Sequence, residues 1–106
     1  MKEVAKLPQA RRDIMQQANY YAEKSLNLSD RFLEAVQETL RKIALMPGIG
    51  SPRDYNSPQY DGLRVVLIPK FNKMGIYYRV VEDAILVVRV LHGARDIESL
   101  FAPEKE

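Results

Sequence analysis

Residues 74–91 read MGIYYRVVEDAILVVRVL. Two runs, MGIYYRVV (74–81) and AILVVRVL (84–91), are dense in β-branched and aromatic residues. Only Glu82-Asp83 separates them, so the stretch reads as a tight β-hairpin, although neither turn residue is a glycine. Side chains alternate across a strand, and an even loop sets Val80 opposite Ile85, Tyr78 opposite Val87 and Ile76 opposite Arg89. One face then carries Ile76, Tyr78, Val80, Ile85, Val87, Arg89 and Leu91. The other carries Tyr77, Arg79, Val81, Leu86, Val88 and Val90. The second set is nearly all branched aliphatic along its last strand, and is assigned to the covered side. Arg79 is then expected near the hairpin end, its head reaching solvent or the Glu82-Asp83 turn. Arg89 falls on the more open face, among apolar neighbours. A β-bulge in the hairpin would swap the assignments.

A third strand-like run, LRVVLI (63–68), precedes the hairpin across Pro69 to Lys73. Before it, GIGSPRDYNSPQYDG (48–62) has the glycines, prolines and turn formers of a loop. Two helical patterns come earlier. From Gln9 to about Ser25, residues Ala10, Ile14, Met15, Ala18, Tyr21 and Ala22 fall in one apolar arc, whose alanines let a second helix approach closely. From Asn27, with Asp30 at capping-box spacing, Leu28, Phe32, Leu33, Val36, Leu40, Ile43 and Ala44 form a second stripe, ended by Met46-Pro47-Gly48. KEVAKL (2–7) reads as an edge strand, and Pro8 suits a first helical turn. ARDIESLFAPEKE (94–106) reads as a short helix or docked tail. The order is β-α-α-β-β-β plus a C-terminal segment in one domain, 1–106. The expected fold is α+β, with an N-terminal edge strand and a helical hairpin on one face of a small antiparallel sheet.

Composition excludes several classes. The 106 residues contain no cysteine, so there is no disulfide framework, thiolate metal site or thiol nucleophile. With one histidine, a zinc site would have to lean on carboxylates, and no metal or cofactor is expected. No segment nears the roughly 18 apolar residues of a membrane span, and the start lacks a signal-peptide core, so the expectation is a soluble cytoplasmic protein. Net charge is only +2, but its distribution is uneven. From Gly62 to Val81 stand Arg64, Lys70, Lys73 and Arg79 with no acid, whereas Asp96 to Glu106 holds four acids and one lysine.

The candidate chemistry gathers in VVRVLHGARD (87–96), which holds Arg89, His92, Arg95 and Asp96. An arginine in so apolar a run must be paired or wet, and Arg89 is either an internal ion pair, for instance to Asp96 or Glu82, or a contact group. Asp96 has a second reading as a cap and Arg95 as solvated surface. His92 suits proton transfer near neutral pH, yet the sequence offers it no Ser/His/Asp arrangement, acid pair, phosphate loop or metal cluster.

LPQARRDI (7–14), SDRFLEAVQETLRKIALMPGIGSPR (29–53), GLRVVLIPKF (62–71), IYYRVVED (76–83) and ILVVRVLHGARDIESLF (85–101) together resemble the ParE/RelE superfamily, the toxins of bacterial type II toxin–antitoxin (plasmid stabilisation) modules. The last stretch is the most specific, and it is closer to the ParE branch. The resemblance implies the same β-α-α-β-β-β layout. It also implies a cognate antitoxin, ParD-like or a similar small acidic protein, whose C-terminal segment lies over the helix hairpin and sheet edge. Toxin–antitoxin hetero-oligomers, with a possible toxin homodimer, and no membrane partner complete that picture. For activity it implies inhibition of DNA gyrase by binding, with no catalytic residues, and its signature positions fall at Arg64, Arg79, His92, Arg95 and Asp96; with Arg89, taken from the strand reading, these are the expected target contacts. The RelE-like alternative is a ribosome-dependent mRNA endonuclease with Arg64, Tyr78 (or Tyr77), His92 and Arg95 at its centre. The lysine pair that RelE-type nucleases carry before GLR has no match in SPRDYNSPQYDG, and the tail is acidic where a basic residue or tyrosine is expected. A third reading is a degenerate toxin that retains only antitoxin binding.

Overall fold

The computed structural model describes residues 1–53 and 61–93. In chain order these form β1 (Glu3–Lys6), α1 (Pro8–Ala22), α2 (Leu26–Leu45), a single 3-10 turn (Pro47–Ile49), β2 (Ser51–Pro52), β3 (Arg64–Ile68), β4 (Phe71–Val81) and β5 (Ala84–His92). The expected C-terminal helix or tail and its apolar anchors lie outside the described residues.

The sheet has five strands in the order β1-β5-β4-β3-β2. β2, β3, β4 and β5 pair antiparallel in succession, but β1 runs parallel to β5, from Glu3 opposite Ala84 to Lys6 opposite Val87. The expectation of a purely antiparallel sheet is thus corrected to a mixed one. Parallel neighbours need a long crossover, and here the two helices supply it.

α1 starts where β1 stops. Pro8 occupies the first turn, where its missing N–H costs nothing, and Leu7 donates its amide to Val87 O at 3.0 Å. α2 is capped by Ser25, whose Oγ accepts the Leu28 amide at 3.2 Å, so the cap lies two residues before the expected Asn27. The helices meet through small residues: Ala10 and Ala18 are buried, and Ser29 Oγ donates to Ala18 O at 2.8 Å across the crossing. Met15, expected on the apolar arc, is exposed.

The faces of the hairpin are reversed relative to expectation. Ile76, Tyr78, Ile85 and Val87 pack against Ala10, Ile14, Phe32, Val36 and Leu40 of the helices. The even loop is as read, with Val80 opposite Ile85 and Tyr78 opposite Val87. Beyond it the register slips: Tyr77 pairs with Arg89 and Ile76 with Val90, leaving Val88 as the extra residue of a bulge. Past that bulge Val90 joins Val87 on the helix side. Leu91 turns to the opposite face with Leu63, Val65 and Tyr77, in a second, smaller cluster. The aliphatic run that looked like one buried face therefore serves two.

At the far end of the core Tyr21, Phe32 and Phe71 pack as tilted and edge-on rings with centroids 5.2–5.4 Å apart. Such pairs add about 0.5–1.5 kcal/mol each beyond the area they bury, and these join both helices to the start of β4.

Candidate functional site

The PGIG segment after α2 is held by two side chains from the sheet. Tyr78 is fully buried; its hydroxyl donates to Pro47 O at 2.7 Å and accepts the Gly50 amide at 2.9 Å. Arg64, opposite Tyr78 on β3, donates from one guanidinium nitrogen to Gly48 O at 3.2 Å and Gly50 O at 2.6 Å. Gly50 has no room for a side chain, since a Cβ there would stand 2.6 Å from Tyr78 Oη. Burial pushes the Tyr78 phenol above its ordinary 10.0, against the Gly50 amide and the Arg64 charge, which pull it down. Two members of the nuclease reading, Arg64 and Tyr78, are thus the halves of a clasp on a turn.

Arg89 is not on an open face. Its Nε and Nη2 donate to the Asp13 carboxylate at 2.8 and 3.1 Å, with side-chain exposures of 19% and 6%. The partner is Asp13 of α1 rather than Glu82, and Asp96 lies outside the described residues. Asp13 also accepts the Val90 amide at 3.0 Å and a bond from Gln9 Nε2 at 3.2 Å. β1 covers β5 only as far as Val87, and the bulge follows at once, so the carboxylate takes over where the strand partner ends. Asp13 was missed in the sequence. Its signal was position: a carboxylate three residues after Ala10, on the flank of an apolar arc.

Arg79 alternates with helix-facing Tyr78 and so lies on the opposite face, half-buried, where the sequence reading had it under the helices. His92 pairs with Met74 at the end of β5. Along β4, Met74 and Tyr78 are four residues apart, about 13 Å of strand, so His92 does not share one site with Arg64 and Tyr78. Arg95 and Asp96 lie outside the described residues. No group of three potential metal ligands occurs among the described residues, and no described helix is long and apolar enough to cross a membrane.

A groove of about 440 Å³ runs between α2 and the β3–β4 turn. Leu28, Ala35 and Phe71 give it an apolar floor, and Arg31, Glu34, Glu38 and Lys42 line its rim with both signs of charge.

A helical hairpin over one face of a small mixed sheet, with an apolar groove along the second helix, defines the class of RelE/ParE-like α+β toxin folds. The family model for the ParE toxin of the type II toxin–antitoxin system parDE matches residues 4–97, and the chain belongs to that family. Among solved structures it is similar to a chain of the chromosomal ParDE toxin–antitoxin system from P. aeruginosa, at 19% identity and a TM-score of 0.58. That match covers 87% of this chain and 96% of the other, and it carries the fold. No curated protein matches the chain.

Proposed function

We propose that residues 1–106 act as one cytoplasmic toxin domain that inhibits DNA gyrase by binding it, and that a ParD-like antitoxin neutralises it in a hetero-oligomer. The observation that carries this reading is the employment of the arginines. Arg64 holds the Gly48 and Gly50 carbonyls and Arg89 holds Asp13, while His92 stands at the other end of β4. General acid–base chemistry on RNA needs a proton donor or acceptor within reach of the phosphate-handling groups. That spread supports binding over hydrolysis. Arg79, on the face away from the helices, is the described arginine we assign to target contact.

The antitoxin is assigned to the groove along α2. Its apolar floor and mixed rim suit an amphipathic helix with charges opposed to Arg31, Lys42, Glu34 and Glu38. Placing an arginine on the floor, Ala35→Arg, is expected to weaken antitoxin binding at least about tenfold, read by calorimetry.

Supercoiling of relaxed plasmid by gyrase with micromolar purified toxin tests the target. Inhibition relieved by the antitoxin supports the reading. Unimpaired supercoiling, together with codon-phased transcript cuts by primer extension after induction, would replace it with the ribosome-dependent nuclease. Harmless overexpression with antitoxin binding intact would indicate the degenerate toxin.

A further inference from the structure

Beside the groove, and sharing Lys70 and Phe71 with it, lies a cleft of about 260 Å³ between the last turn of α1 and the start of β4. Its lining includes Tyr21, Lys70, Phe71, Asn72, Lys73 and His92. We propose that this cleft binds a nucleotide unit through its phosphate, either as a free nucleotide or within a single strand.

Charge is the first argument. Among the described residues the cleft is lined by two lysines, a histidine and an asparagine, with no carboxylate. The groove over α2 differs, for Glu34 and Glu38 offset its cations. Both lysines are exposed and lie in the stretch from Gly62 to Val81, which has four basic residues and no acid.

The backbone at Lys70 is the second argument. Ile68 pairs with Phe71, so Pro69 and Lys70 form the tip of the turn, and Lys70 has φ 70°. A turn with proline first and positive φ second favours glycine or asparagine at the second place. A lysine held in that conformation is strained, and such strain collects where a side chain must be presented. Lys70 reaches the mouth of the cleft from this turn, beside Lys73.

Ring chemistry sets the class of ligand. Tyr21 and Phe71 are half-buried, with centroids 5.3 Å apart, and both line the cleft. Aromatic faces beside point-charge ammonium groups take a base and its phosphate together, in a manner indifferent to sequence. The proposal is independent of the gyrase reading, and either stands if the other fails.

His92 is the only histidine, so its ring protons give isolated NMR signals at the cleft. Titration with inorganic phosphate, AMP and an oligothymidylate should move these signals saturably for the two nucleotide probes. Tighter binding of the oligomer by about tenfold, falling with salt, identifies a strand, and equal binding identifies a free nucleotide. Lys73→Gln and Lys70→Gly should each weaken binding about fivefold or more, and Arg12→Gln on the outside of α1 should not. Lys70→Gly also removes the strained φ, so its melting temperature should not fall, which separates lost binding from lost folding. No saturable shift at millimolar probe, a response to inorganic phosphate alone, or unchanged binding by both lysine variants would overturn the proposal.

Discussion

Arg89 and Asp13, 76 positions apart in sequence, close a two-pronged ion pair that ties α1 to β5 beside its bulge. The same carboxylate also accepts the Val90 amide, so one side chain secures a guanidinium and a strand backbone together.

Asp13→Ala strands a largely buried guanidinium and a strand amide. The expected loss is about 3 kcal/mol in urea unfolding, since breaking a buried pair costs more than replacing both partners. Arg89→Met strands the more buried Asp13 carboxylate and should cost a comparable amount, and the double variant should recover part of either loss in a double-mutant cycle. Additive losses would show that the pair is not coupled.

Tyr78→Phe keeps the ring but leaves Pro47 O and the Gly50 amide without their partner, for an expected cost of about 1–3 kcal/mol. The sign of the pH dependence follows from the raised phenol. The folded state prefers the neutral form, so the contribution of Tyr78 is intact below the unfolded value of 10.0 and is lost as pH rises through the folded one. Wild type should therefore lose stability in alkali more steeply than Tyr78→Phe, by denaturation at a series of pH values.

The two glycines of PGIG should answer differently to alanine. At Gly50 the new methyl would meet Tyr78 Oη at 2.6 Å and Cε1 at 2.8 Å, whereas at Gly48 nothing stands within 4 Å. Gly50→Ala should destabilise by about 1–3 kcal/mol as an overpacked site, and Gly48→Ala should stay within about 0.5 kcal/mol. Equal melting temperatures for the two would contradict the close approach.

Arg64→Ala should lower stability by about 1–3 kcal/mol, because charged bonds to two carbonyls disappear. Both bonds leave a single nitrogen, so Arg64→Lys, whose ammonium can donate more than once, should restore part of the loss. A loss of toxicity in Arg64→Ala is then expected to follow its melting temperature. Under the proposed gyrase reading, Arg79→Ala should weaken inhibition by more than any fall in its melting temperature explains.

The helix hairpin, Pro8 at its start and the three long strands were legible because each rests on local periodicity or a proline. The faces were not. Parity counting holds only while the strand keeps period two, and Val88 breaks it between residues that are all aliphatic. Nor does local pattern reveal that β1 would lie parallel to β5, because that pairing joins the ends of the described chain. The arginines were legible as anomalies but not as braces. Arg64 bonds backbone carbonyls and Arg89 bonds a helix carboxylate, and neither partner has any fixed spacing from the arginine. Asp13 shows the same limit from the other side, for a lone acid on a helix flank announces no partner.

The first strand's neighbour is also the last described one to be synthesised, which gives the sheet a temporal order. While residues 84–92 are still within the ribosome, Glu3–Lys6 has no strand to lie against and Asp13 no guanidinium to hold. Closure of so non-local a contact must wait until β5 has left the ribosome. A copy terminated before β5 would therefore be left without its finished sheet, and harm to the cell would be confined to chains that had passed residue 92.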